Sequence, residues 1–254
     1  MPAPLGETED LQTISVTRLR DRVIVRLNRP EVRNAINQQM VDELHGACAE
    51  LEVVPRILIV IGARGVFASG ADIRELRDRT SEDALKGINT TLFTRIAELP
   101  MPVIAAIDGY ALGGGAELAY AADFRIATPQ LKIGNPETGL GIIAPAGALW
   151  RLRELVGEPL AKEILLAGRV IGADDALAAH LVTRIVEPDA LLAAAHELAD
   201  EIAAKDPAAT RATKAVMRIP LGEHPVIDLA AQAVLFDSEE KHRRMTEFLE
   251  RRKR

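Results

Sequence analysis

Two glycine-bearing turns and two glutamates are the parts of this sequence whose residue types can do chemistry together. The first turn is Phe67-Ala68-Ser69-Gly70-Ala71-Asp72-Ile73-Arg74-Glu75. Asp72 and Glu75 have capping-box spacing, which predicts a helix starting at Asp72 and sets the Ala71 amide just before its positive end. The second turn is Gly109-Tyr110-Ala111-Leu112-Gly113-Gly114-Gly115-Ala116-Glu117. Gly114 stands at the entrance of an Ala-rich helical stretch, and three successive glycines let backbone approach a ligand closely. Two backbone donors at two helix entrances suit an oxyanion, and each such donor is typically worth about 2.7–4 kcal/mol in a transition state. Either turn alone reads as an ordinary tight turn.

The carboxylates are what join the two turns into a candidate site. Glu117 lies three residues after Gly114 in the otherwise apolar stretch 111–122. Glu137 lies in Asn135-Pro136-Glu137-Thr138-Gly139, flanked by Leu131, Ile133 and Leu140. A carboxylate in apolar surroundings resists ionisation, so one of such a pair can act as acid while the other acts as base. Taken singly, Glu137 reads as a surface loop acid and Glu117 as a capped or paired structural one. Other catalytic signatures are missing: no G-x-x-x-x-G-K-[ST], no H-E-x-x-H and no G-x-S-x-G. The glycine triplet lacks the third glycine of a dinucleotide fingerprint, and the five histidines have no metal-ligand spacing.

Alternating strand and helix patterns must position these residues. Thr13–Leu19 and Arg22–Leu27 read as strands. Met40, Val41, Leu44, Ala47, Cys48 and Leu51 recur at helical spacing within 37–52. The continuous apolar runs 57–62 and 102–109 read as strands buried on both faces, with helical segments at 72–79 and 82–98 between them. That alternation predicts a largely parallel sheet covered by helices. Beyond residue 187 the pattern changes to helical segments 189–205, 207–218, 224–236 and 238–252, divided by Pro188, Pro207, Pro220 and Pro225. This gives a loose tail over 1–10, an α/β core over 11–188 and a helical region over 189–254.

Composition limits the class further. The chain has 254 residues, 31 Lys plus Arg against 37 Asp plus Glu, a net charge of −6 and a hydrophobic fraction of 48%. Such a chain can bury a sizeable core. Its mild acidity argues against a nucleic-acid partner. Cys48 is the one cysteine, so neither an intramolecular disulfide nor a thiolate cluster is available, which fits a cytoplasmic location. Residues 1–11 lack the basic start and apolar run of a secretory signal. The most apolar region, Met101–Phe124, holds Asp108, Glu117 and Asp123, so no membrane span is expected.

The blocks RLNRPEVRNAIN (26–37), GVFASGADIREL (65–76), PVIAAIDGYALGGGAELAYAADFRIA (102–127) and IGNPETGLGI (133–142) together resemble the enoyl-CoA hydratase/isomerase, or crotonase, family. The likeness continues through 161–188 to the C-terminus. It implies an α/β fold, a crotonase-like spiral of ββα units with a C-terminal helical region used for self-association as a trimer or dimer of trimers. It implies an acyl-CoA thioester substrate, with coenzyme A as part of that substrate and no metal or other cofactor. By position, Ala71 and Gly114 match the two oxyanion-hole donors. Glu117 matches the glutamate that holds and activates water, and Glu137 the one that exchanges the α-carbon proton. Ala71, Asp72, Ile73 and Arg74 match the loop that grips coenzyme A, together with Ala68 and Gly70. Arg33, Arg74 and Arg251 are candidate phosphate partners, and Phe248 a candidate nucleotide contact from a neighbouring subunit.

The presence of both glutamates favours hydration of a 2-enoyl-CoA over a Δ3-Δ2 isomerase, another crotonase reaction or a non-catalytic acyl-CoA-binding role. One departure stands out. Many family members read P-G-x-G-G after the second glutamate, whereas this chain has Ala144-Pro145-Ala146-Gly147-Ala148. The change bears on the shape of the acyl pocket. Pro145 is placed in a helix's first turn, and Trp150 in the core.

Overall fold

The computed structural model describes residues 6–251 and divides into two compact units, residues 1–199 and 200–254. In the first unit seven strands make one sheet: β1 (Thr8–Asp10), β2 (Ile14–Arg18), β3 (Arg22–Leu27), β4 (Ile57–Ile61), β6 (Val103–Ile107), β8 (Phe124–Ala127) and β11 (Arg184–Ile185). Their spatial order follows that sequence order, antiparallel from β1 to β3 and parallel from β3 onward. Every residue of β4 and β6 is buried, as expected for runs without a polar face. A smaller sheet holds β5 (Val66–Ala68), β7 (Tyr110–Leu112), β9 (Lys132–Gly134) and β10 (Ile171–Gly172), in the order β10-β9-β7-β5.

The helices are α1 (Gln38–Val53), α2 (Ile73–Asp78), α3 (Ser81–Leu85), α4 (Ile88–Glu98), α5 (Gly114–Ala121), α6 (Arg153–Val156), α7 (Glu158–Leu166), α8 (Ala173–Ala178) and α9 (Leu191–Ala203). The connections repeat a plan. β4 and β5 precede α2 to α4, and β6 and β7 precede α5; the first strand of each pair joins the large sheet and the second joins the small one. The chain changes sheet at Gly109 (φ +65°), where a Cβ would lie 2.0 Å from the Gly65 carbonyl oxygen, so only glycine fits. α1 buries Met40, Val41, Leu44, Ala47, Cys48 and Leu51, the six positions its spacing marks. Its N-cap Asn37 accepts from the Met40 amide.

Three expectations change. Thr8–Asp10 forms an edge strand paired to β2 rather than part of a loose tail, because backbone pairing needs no apolar side chains; residues 1–5 lie outside the described residues. The helix expected over 82–98 is two, broken at Gly87, which takes the left-handed conformation as the N-cap of α4. Trp150 is 38% exposed, with the Arg151 guanidinium 5.6 Å from its ring centroid, rather than in the core.

The second unit contains α10 (Pro207–Val216), α11 (Val226–Phe236) and α12 (Glu239–Arg251). None buries a residue, and Val226, Leu229, Val234, Phe236, Met245 and Leu249 are all exposed. No helix among the described residues is long and apolar enough to cross a membrane.

Candidate active site

The Ala71 amide is held in place by its neighbours. Gly70 O accepts from Ile36 N at 2.8 Å and Asp72 N donates to Ile36 O at 2.9 Å, so the main chain is gripped on both sides of Ala71. Ser69 N also donates to Arg33 O. Gly70 sits at φ +114°, a conformation that turns the chain into α2. Asp72 caps α2 by accepting from Arg74 N and pairs with Arg29 at 3.2 Å. Glu75 does not close a capping box; its Oε2 accepts from Gln38 N instead.

The second donor is fixed by close packing. Gly113 N donates to Gly134 O, tying the start of α5 to β9. Gly113 sits at φ +52°, and a Cβ there would stand 3.0 Å from Glu137 Oε1. A Cβ on Gly115 would stand 2.2 Å from Ala68 O, so α5 packs with its backbone against β5. A Cβ on Gly114 would lie 3.5 Å from Ala71 N, which brings the two helix entrances together. Among the described residues neither the Ala71 nor the Gly114 amide donates a hydrogen bond. Both remain available to an acceptor.

Both carboxyl groups open onto the same space. A cavity of about 670 Å³ is lined by Gly70, Ala71, Gly114, Glu117 and Glu137 at one part of its wall. Ile73, Leu76, Ile88, Leu140, Ile142 and Ile143 supply apolar wall. That volume suits a small organic ligand. Glu117 is only 2% exposed; its Oε1 accepts from Ala146 N at 2.6 Å and Ala148 N at 3.2 Å. Burial pushes its carboxyl up to about 8; the two amides oppose that rise and the Glu137 charge adds to it. Burial likewise raises Glu137, against a backbone hydrogen bond and the Asn135 carboxamide. Asn135 Nδ2 reaches Glu137 Oε1 at 3.3 Å while its own Oδ1 accepts from the Tyr120 hydroxyl at 3.1 Å. Among the described residues no group donates to Glu137 Oε2. Two carboxyls held back from ionisation in one cavity can hold and pass a proton.

The structure therefore brings Gly70, Ala71, Ile73, Gly114, Glu117 and Glu137 to one wall. Ala68 is buried in β5 behind that wall, Arg33 contributes its carbonyl while its side chain is exposed, and Asp72 and Arg74 lie outside the lining. Arg251 and Phe248 are exposed on α12, in the other unit. Three contributors have no signature in the sequence: the Ala146 and Ala148 amides, which any residue supplies, and Asn89 of α4. Asn135 stands two residues before Glu137 in the same turn, where its residue type is the signal for it. The departing segment 144–148 is thus the one that fixes Glu117. Pro145 precedes the helical turn at Ala148–Leu152, rather than opening a helix, and its carbonyl accepts from Thr90 Oγ1.

Comparison with known proteins shows which family the chain is similar to. A family model described as enoyl-CoA hydratase/isomerase matches residues 22–254. A short-chain-enoyl-CoA hydratase of Clostridium acetobutylicum is 36% identical over 239 residues, 91% of this chain and 92% of the relative. A 2,3-dehydroadipyl-CoA hydratase of Escherichia coli is 33% identical over 250 residues, 95% of this chain and 97% of the relative. The crystal structure of an enoyl-CoA hydratase from Bacillus anthracis superposes with a TM-score of 0.89 at 32% identity, covering 94% of this chain and 97% of that one.

Proposed function

The chain belongs to the enoyl-CoA hydratase/isomerase family, and from that premise we infer that it is a hydro-lyase adding water across the 2,3 double bond of a 2-enoyl-CoA thioester. The observation that carries the site assignment is the shared cavity: two raised carboxyls, Glu117 and Glu137, open onto the space that adjoins the uncommitted amides of Ala71 and Gly114.

The thioester oxygen accepts from Ala71 N and Gly114 N, which polarises the conjugated double bond and stabilises the enolate-like transition state. Glu117, anchored through Oε1, orients a water with its other oxygen. As the water oxygen bonds to the β-carbon, a carboxylate takes one of its protons and Glu137 delivers a proton to the α-carbon. The proton count of the pair is unchanged at the end of the cycle. The apolar wall formed by Ile73, Leu76, Ile142 and Ile143 receives the acyl chain. These steps call for no metal or redox cofactor, and coenzyme A arrives with the substrate.

Exposed apolar side chains on α11 and α12 support self-association, and a trimer or dimer of trimers is our reading of the assembly. A cytoplasmic location fits the single buried cysteine. The test is the loss of ultraviolet absorbance of crotonyl-CoA. The wild-type protein should hydrate it, Glu137→Gln should lose about 10²–10⁴-fold in rate, and the rate should fall on the alkaline side as Glu137, raised by burial, loses the proton it delivers. Conversion of 3-enoyl-CoA without hydration would favour an isomerase instead.

A further inference from the structure

Asn89 lies in the first turn of α4 and lines the cavity, yet neither of the two glutamates nor either helix entrance depends on it. Its Nδ2 donates to no described residue, and its Oδ1 is buried without a partner. A donor that lines a cavity and is spent on no protein group is free for a ligand atom, and a water can serve the Oδ1 acceptor behind it. Its Nδ2 is 3.4 Å from the point where a Cβ on Gly114 would stand. The same point is 3.5 Å from Ala71 N. The Asn89 carboxamide and the uncommitted amides of Ala71 and Gly114 therefore border the same part of the cavity.

We propose that Asn89 is a third donor of the oxyanion hole, its Nδ2–H reaching the thioester oxygen as negative charge builds there. The proposal rests on the hydratase reading of this site and adds a catalytic side chain to it. A thioester carbonyl oxygen has two lone pairs, which the Ala71 and Gly114 amides can occupy, whereas an enolate oxygen has three. A third donor is thus satisfied fully only in the enolate-like state, and an interaction stronger in the transition state than in the ground state raises kcat. Asn89 Nδ2 belongs to a side chain, so this donor is open to substitution, which the backbone donors are not.

Two readouts test this: turnover of crotonyl-CoA, and the red shift in absorbance when the unsaturated thioester 2,4-hexadienoyl-CoA binds. The shift reports polarisation of the carbonyl without requiring hydration. Asn89→Ala and Asn89→Leu should lower kcat by about tenfold to hundredfold, less than loss of one of two principal donors, while KM changes little. Both should diminish the red shift of the bound thioester. Leucine fills the space of asparagine without a donor, so the two variants separate loss of the hydrogen bond from loss of packing. Unchanged kcat and an unchanged shift in Asn89→Leu would overturn the proposal, as would a wild-type protein that binds the probe without shifting it. A wild-type protein that shifts the probe but hydrates nothing would instead overturn the hydratase reading, and the Asn89 contribution would still be read from the shift.

Discussion

The two helix entrances that meet at the cavity are built in opposite ways. The Ala71 entrance leads into α2, six residues with none buried, and is held by hydrogen bonds to Ile36 and Arg33 and by the Asp72 cap. The Gly114 entrance leads into α5, all eight residues of which are buried, and is held by missing side chains. Gly115 packs its backbone against Ala68 O, and Gly113 leaves room for the Glu137 carboxyl. Similar donors are obtained once by adding partners and once by removing atoms. The first kind of support degrades gradually when altered, and the second fails abruptly.

Gly115→Ala should show the largest effect. Its Cβ would meet a backbone oxygen at 2.2 Å, which no side-chain rotation relieves. Thermal or denaturant unfolding should show a loss of at least about 3 kcal/mol, at or beyond the usual range for overpacking. A variant as stable as wild type would mean the α5 entrance is not packed as described. Asp72→Ala lies at the other end. Removing an N-cap typically costs about 1 kcal/mol and loss of the Arg29 partner adds to it, so stability should fall by about 1–2 kcal/mol, less than in Gly115→Ala, and kcat/KM by only a few-fold. A collapse of activity in Asp72→Ala would show that hydrogen-bonded support is as brittle as packed support.

The same contrast explains what the sequence discloses. The Gly114 entrance is legible because the glycine triplet, the apolar stretch and the embedded Glu117 are all matters of residue type. β4, β6 and the six buried positions of α1 are legible for the same reason: uninterrupted or periodic burial leaves a hydrophobic pattern. The small sheet is not, since strands of two or three residues are too short to show alternation. The polar edge strand Thr8–Asp10 pairs through its backbone, which any residues can do. The Ala146 and Ala148 amides stand at no helix entrance marked by a glycine turn or a cap, so their anchoring of Glu117 is visible only in the fold. Asn89 carries a type but no pattern, because an asparagine near a helix start reads as a local capping residue.

The central claim is that Glu117 and Glu137 serve one bound acyl group as a unit, and the most direct measurement is a double-mutant cycle on the hydration of crotonyl-CoA. Glu117→Gln and Glu137→Gln should each lower kcat by about 10²–10⁴-fold, and the double variant should fall little further, since residues acting together are strongly non-additive. Losses that multiply in the double variant, or a single variant that hydrates at the wild-type rate, would show the two carboxyls acting apart.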